Sequence, residues 1–480
     1  MLFVVAGLWQ DQNKSTLGAV HGILAVNDPG ARRTKLDSLW KMFVEWHFAD
    51  VLLRHPNYHP RGGESQLVYH PPIMDISTAA YDDVELILQR IDEELIIGKG
   101  MKAVLCVGDQ QTFSRMWHLK VHAPAKYAWV IPCSGDFHYQ FHVASGIHRA
   151  AHDSILKWFV DKADMSKTVK RRMDDTCHIK YIDHFYQLVI KSVLTYLTGV
   201  YGQEDLAKNP SDILEEKKTH LGERVLLGPP PDKLRGGRSF SPSATRHLHL
   251  QLGTCILVKL LHELLFPWFA VRNAIRCNDH KTLDWSWSYF LPLFRATDKH
   301  QYAAYAVQQA ATVYMMCPDV RRVWDEHRTA SMSGRPGRNV AWDYVLEKMN
   351  LAFKQYLHDT ITDERLHDFG IMINALKHIR KQFEQAWRHG AGDPDDEDDH
   401  GEYSHVKDAD VKQIVDALKH HLGGTVDEVE DKAAAFALAG TQNPFAANQR
   451  SLLPWTKIAD KGMDKLLDHC LSHSDLPPQL

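Results

Sequence analysis

The sequence predicts an α/β fold with a large, mostly α-helical insertion and a helical C-terminal appendage. Three observations carry this. Ala103–Val107 and Tyr127–Pro132 are apolar runs of strand length, separated by Gln111–Val121, whose apolar residues recur at helical spacing. Each run stops near a Gly-Asp pair, Gly108-Asp109 and Gly135-Asp136, and His138 follows the second pair by two residues. Long segments of helical period fill most of the chain beyond. Two short buried strands joined by a helix form a parallel βαβ unit, because parallel neighbours need a crossover connection. Carboxylates at the carboxyl ends of such strands stand on the rim where open α/β sheets bind ligands.

Residues 1–160 read as the α/β core. Leu2–Trp9 is a strand candidate, and the opening lacks the basic n-region of a signal peptide. Leu36–Leu53 has helical spacing and ends before His55-Pro56. Leu67–Asp75 reads as a broken edge strand, since Pro cannot donate to a sheet ladder. Asp75 is first a turn cap and second a third acid beside Asp109. Tyr81–Ile97 is an amphipathic helix whose early acids, Asp82, Asp83 and Glu85, suit the positive end of its dipole. Gly98 and Gly100 stop it. The helix after the second strand, residues 137–160, carries His138 and His142, and His148 and His152, each pair four residues apart. Such spacing can hold a transition metal, but no Cys or further acid completes four ligands. With 30 His in the chain, chance pairs are expected.

Residues 161–330 read as the helical insertion. Ile179–Tyr201 is a core helix rich in aromatics, and Gly228–Arg246, with its Pro and Gly, is a loop. His247–Ile275 is a long apolar helical stretch that Pro267 kinks or divides. Leu283–Phe294 is dense in aromatics, and Tyr302–Cys317 is an Ala-rich helix closed by Pro318. Residues 331–390 return to the core: in Val340–Asp359, Asp343, Glu347, Asn350 and Lys354 recur at three and four residues, a polar stripe that is either a solvated face or a functional one carrying Glu347. Asp393–Glu402, an acidic run with no apolar residue, lies in a linker (391–405), and 406–480 is a small helical tail.

Composition sets limits. The chain is 44% apolar and 24% charged, ordinary for a globular protein. Its net charge of −4 gives no global basic field of the kind a nucleic-acid binder often shows, but local basic patches exist at Lys167–Arg172 and Lys233–Arg238. Seven Cys without a CxxC pair predict reduced thiols inside the cell. No unbroken apolar run approaches the ~20 residues of a membrane helix, so no membrane partner is expected.

Four segments together resemble a large eukaryotic family of unknown function with many mobile-element-like copies: Val107–Thr112, Trp129–His138, Tyr302–Tyr314 and Trp342–Lys354. The family-like forms are GDQ-x-T, PGDWH, an Ala/Tyr helix and D-x-x-L-E-x-x-N-x-x-x-K. Ser134 stands where the family usually has Pro, and Phe137 where it usually has Trp. The strand–acid–helix–strand order also resembles the ribonuclease-H-like mixed-sheet core of cut-and-paste transposases. That resemblance implies catalytic roles for Asp109, Asp136, Glu347 and His138, and Mg²⁺ or Mn²⁺ held by Asp109, Asp136, Glu347 and Asp75. Two such ions ~3.5–4 Å apart activate water and steady the leaving oxygen in phosphodiester cleavage. Hard carboxylate oxygens from separate elements suit Mg²⁺, and His138 can ligate or act on water. Asp109 then matches the second acid of such a core and Glu347 the helical one. The first acid is the difficulty, because Leu2–Trp9 contains none: either the first strand lies outside this chain or the site is incomplete.

Three functional classes stay open. One is a transposase-derived, metal-dependent nuclease or polynucleotidyl transferase acting on DNA, with a nuclear location. The second is a catalytically inactive, mobile-element-derived scaffold or nucleic-acid-binding protein. The third is a His-rich metalloprotein using His138, His142, His148 and His152. Oligomeric state and DNA specificity are not encoded in any feature above.

Overall fold

A computed structural model describes residues 22–48, 80–95, 103–151, 155–163, 170, 179–207, 253–331, 337, 339–347, 406–425, 427–429 and 432. The labelled elements are α1 (Pro29–Phe48), α2 (Tyr81–Leu95), β1 (Val104–Gly108), α3 (Gln110–His122), β2 (Val130–Ser134), α4 (Asp136–Ala151), α5 (Lys157–Lys162) and α6 (Ile179–Tyr201). They continue with α7 (Gly253–Leu260), a π-helical turn (Leu261–Leu265), α8 (Phe266–Cys277), α9 (His280–Tyr289), α10 (Leu291–Ala296), α11 (His300–Met315) and α12 (Pro318–His327). A short helix, α13 (342–347), and α14 (Asp408–Leu422) complete the set.

The βαβ unit forms as the alternation of apolar runs requires. β1 and β2 are parallel, with Val104 opposite Val130 and Gly108 opposite Ser134. α3 crosses between them. Gly108 is required where β1 turns into α3, because a Cβ there would lie 2.9 Å from the Thr112 Cβ. Lys120, on α3, turns its ammonium back to the carbonyls of Tyr127, Ala128 and Val130, satisfying the turn that feeds β2. α2 packs on α3 through Val84 and Leu88, which join Met116, Tyr127 and Trp129 in a small core on one face of the strands.

The expected ribonuclease-H-like mixed sheet is not what the chain builds. The described residues are 81% helical, and the sheet among them consists of β1 and β2 alone. The further candidate strands, Leu2–Trp9 and Leu67–Asp75, lie outside the described residues. The physical reason is in the remaining apolar segments: they are long, rich in Ala and Leu, and keep a 3.6-residue period, so they bury their faces against other helices, not against a sheet. The main core is therefore helical. It runs from Trp40 and Phe43 of α1 through Phe185, Tyr186 and Leu194 of α6 to Trp268, Trp287 and Phe294 of the α8–α10 region. α14 lies on α6, with Tyr196 donating its hydroxyl to the Gly423 carbonyl at 3.0 Å.

Pro267 sits inside the apolar stretch and lacks the N–H that would reach the carbonyl four residues back, at Glu263. The helix answers with the π-turn Leu261–Leu265 ahead of it, and the Tyr289 hydroxyl donates to the released Glu263 carbonyl at 2.7 Å. The run Thr254–Cys277 is long and apolar enough to cross a membrane by length and composition (mean hydropathy 1.6), and 83% of its most apolar window is buried inside the protein. Lys259 and Glu263 interrupt it in sequence, so no unbroken apolar run of that length is visible there. Cys106, Cys133, Cys255, Cys277 and Cys317 are free thiols.

Candidate functional site at the strand ends

β1 and β2 end side by side: the Gly135 N–H donates to the Gly108 carbonyl at 3.1 Å. Asp109 and Asp136 follow at once, so the two strand-end acids start from neighbouring backbone positions. Their side chains then part. Asp109 is exposed and caps α3, its carboxylate accepting the Thr112 N–H at 2.8 Å. Asp136 turns inward. It is 3% exposed and accepts from the Arg328 guanidinium at 2.8 Å and from the Trp287 indole at 3.2 Å. Arg328 is itself buried, with its guanidinium over the Trp324 ring. Burial pushes the Asp136 carboxyl up to about 6, against the pull of Arg328.

Two residues further on, α4 brings the motif around Gly135–His138 against the motif around Asp343–Glu347. Asp343 of α13 is buried, and its carboxylate accepts the N–H groups of Phe137 and His138, each at 3.0 Å. A carboxylate from a distant segment thus closes the amino end of α4, where unsatisfied N–H groups and the helix dipole favour negative charge. Gly135 lets it approach: a Cβ there would stand 2.2 Å from the Asp343 Oδ2. The same Oδ2 lies 3.0 Å from the His138 Nδ1, so the Nδ1 carries the proton on that side. His138 Nε2 meets the Glu347 Oε1 at 3.1 Å, and Glu347 is half-exposed. His138 bridges a buried acid and a solvent-facing one. Its pKa is raised, first by the hydrogen bond to Asp343 and further by the charges of Asp343, Glu347 and Asp109, against the opposing effect of burial.

One turn along α4, His142 behaves in the opposite way. Its ring stacks on Tyr302 at 3.8 Å between centroids, and the Lys299 ammonium donates to its Nδ1 at 3.4 Å. Burial, then Lys299, lowers its pKa to about 3. His148 is buried on the same helix, and His152 lies outside the described residues.

The four expected metal ligands are thus distributed unevenly. Asp109 and Glu347 offer accessible carboxylates close enough to His138 to act on its charge. Asp136 is committed to Arg328 and Trp287, and Asp75 lies outside the described residues. Among the described residues no group of three or more His, Cys, Asp or Glu is arranged to hold a metal ion. Among the described residues, Asp109, Asp136 and Glu347 form no two-ion centre, and His138, His142 and His148 form no three-ligand group; Asp75 and His152 lie outside them.

Sequence reasoning placed Asp343 only within a polar stripe. Its four-residue spacing from Glu347 was the available signal, but one of the pair is buried and the other half-exposed. Arg328, Trp287 and Lys299 carried no local signal, because each acts on a residue more than 150 positions away.

The fold and this junction define a mostly helical protein in which a carboxylate–imidazole–carboxylate contact forms beside the end of a small parallel βαβ unit. Over residues 258–392 the chain is similar to a family of unknown function (DUF6589). That stretch contains Tyr302, Arg328, Asp343 and Glu347, one half of the junction, while Asp109, Asp136 and His138 fall before it. No curated protein and no solved structure matches the chain.

Proposed function

We propose that this chain is a mobile-element-derived protein acting on the phosphodiester backbone of DNA, with His138 as its proton-transfer group. The observation that carries the reading is the meeting of two motifs, 205 positions apart in the sequence, on one imidazole: Asp343 on Nδ1 and Glu347 near Nε2. An imidazole held by a buried carboxylate has a fixed orientation, and its raised pKa keeps a proton available at higher pH than an ordinary His. His138 is therefore suited to protonate a leaving oxygen, with Glu347 the solvent-facing partner that exchanges protons with it and Asp109 adding negative charge beside it. No step is assigned to a metal.

The test is cleavage and binding of plasmid and short duplex DNA by the full chain, without added metal and with Mg²⁺ or Mn²⁺. DNA binding or cleavage that is lost in His138→Ala, with circular dichroism unchanged, supports the reading. Activity that requires the ion and vanishes in Asp109→Asn and Glu347→Gln moves the chemistry to a metal held by those acids. Absence of both binding and cleavage under every condition overturns the reading.

One set of observations favours a second reading, an inactive scaffold. Asp109 caps α3, Asp136 pairs with Arg328, and Asp343 closes α4, so each of these acids has a structural task. In that case His138→Ala changes stability and leaves any DNA binding intact.

A further inference from the structure

The face of α11 that looks toward the strand ends carries polar atoms that the fold does not use. Tyr302, Tyr305 and Gln309 recur at three and four residues and so share one side of the helix. Gln309 reaches the end of β2, its Oε1 accepting the Ser134 N–H at 3.4 Å. This bond exists because residue 134 is Ser: a Pro there has no N–H to give. Tyr302 lies on His142, one turn from His138. Three buried atoms in this row have no hydrogen-bond partner: the Tyr302 hydroxyl, the Gln309 Nε2 and the Ser134 Oγ. Tyr302 is 4% exposed, and Gln309 and Ser134 are each 1% exposed. Buried donors are nearly always satisfied in folded proteins, so these three, on elements that meet at the junction, call for a partner.

We infer that Tyr302, Gln309 and Ser134 are ligand-contacting residues of the His138 site, and that they receive the oxygens of a phosphate ester inserted between α11 and the strand ends. The inference rests on the phosphodiester reading above for the class of ligand. The donor set supports it. An amide NH₂ donates only, and the two hydroxyls are free to donate, so the row suits a group with several acceptor oxygens. Burial and the charges of Tyr305, Asp343 and Asp109 raise the Tyr302 pKa, which keeps its hydroxyl a neutral donor and places it within the field of the same acids that act on His138. Orphaned donors are a cost to the free protein and a gain only when the ligand arrives. That separates this role from a structural one, because deleting a donor that has no partner does not weaken the fold.

The experiment uses the full chain and the variants Tyr302→Phe and Ser134→Ala, which remove orphaned hydroxyls and leave the bond from the Ser134 N–H to the Gln309 Oε1 in place. Thermal unfolding is measured without ligand, and binding of inorganic phosphate and of a short DNA oligonucleotide is measured by titration. The expected result is an unchanged or higher Tm in both variants, with oligonucleotide affinity weakened by about tenfold in each, as for loss of one hydrogen bond to a charged group. Weakening of phosphate binding as well assigns the row to any phosphate; weakening of the oligonucleotide alone assigns it to the diester. Unchanged affinity in both variants, or a fall in Tm showing that the side chains already have structural partners, overturns the inference. If His138→Ala abolishes oligonucleotide binding while Tyr302→Phe retains it, the inference fails and the functional reading stands. If the parent chain binds neither probe, both fail.

Discussion

Gly135 has no side chain because another residue's carboxylate occupies the space where its Cβ would be. The Asp343 Oδ2 lies 2.2 Å from that position, and the Asp343 Cβ 2.7 Å. Asp343 is held in place by two backbone N–H groups and an imidazole, so it has little freedom to give way. Gly135→Ala is expected to destabilise the protein by about 1–3 kcal/mol, the usual cost of forcing atoms into a packed interior. It is also expected to release Asp343 from α4 and return the His138 pKa toward its ordinary value. Denaturant unfolding and an NMR titration of His138 check the two effects; a variant as stable as the parent with His138 unmoved would refute the contact.

At the scale of the element, α4 carries two titratable rings, one turn apart, with opposite linkage to folding. His138 has a raised pKa, so its contribution to stability is fully present below its unfolded value near 6.5 and is lost as pH rises through the raised folded value. His142 is depressed to about 3, so its contribution is present above 6.5 and is lost as pH falls from there toward 3. Thermal melts across this range should separate them. His142→Phe is expected to gain Tm relative to the parent as the solution is acidified, while His138→Gln is expected to lose most Tm below pH 6.5 and least at alkaline pH. Curves that stay parallel to the parent's would remove both assignments. The same helix also shows why an acid at a strand end need not face solvent. Asp136 is the first residue of α4, and the direction in which a first-turn side chain leaves the axis decides whether it joins the rim or the core.

Across the whole molecule, a buried ion pair helps join the end of the βαβ unit to the helical core. Asp136 opens α4, Arg328 follows α12, and the pair sits against Trp287 and Trp324. Removing one partner leaves an uncompensated buried charge. Asp136→Leu or Arg328→Met alone is therefore expected to cost about 3–5 kcal/mol, and the double substitution to recover most of that loss. Urea unfolding of the three variants measures this directly. Single variants within about 1 kcal/mol of the parent would mean that water reaches the pair and that it does not join the two parts.

Much of this architecture was legible before any coordinate. The period of the apolar residues determined where helices form: Ile179–Tyr201 runs over the same residues in both readings, and the two short runs before Gly108 and Gly135 became the parallel strands, because local spacing decides which face of a segment can be buried. Sequence also singled out His138 and Glu347, through Gly-Asp and four-residue patterns that are local by nature. Only the tertiary structure decided the size of the sheet, the inward turn of Asp136 and the choice of Asp343 as the partner of His138. Those outcomes depend on contacts between segments roughly 150 to 200 residues apart, where burial, opposite charge and the free amino end of a helix select a partner that no neighbouring residue announces.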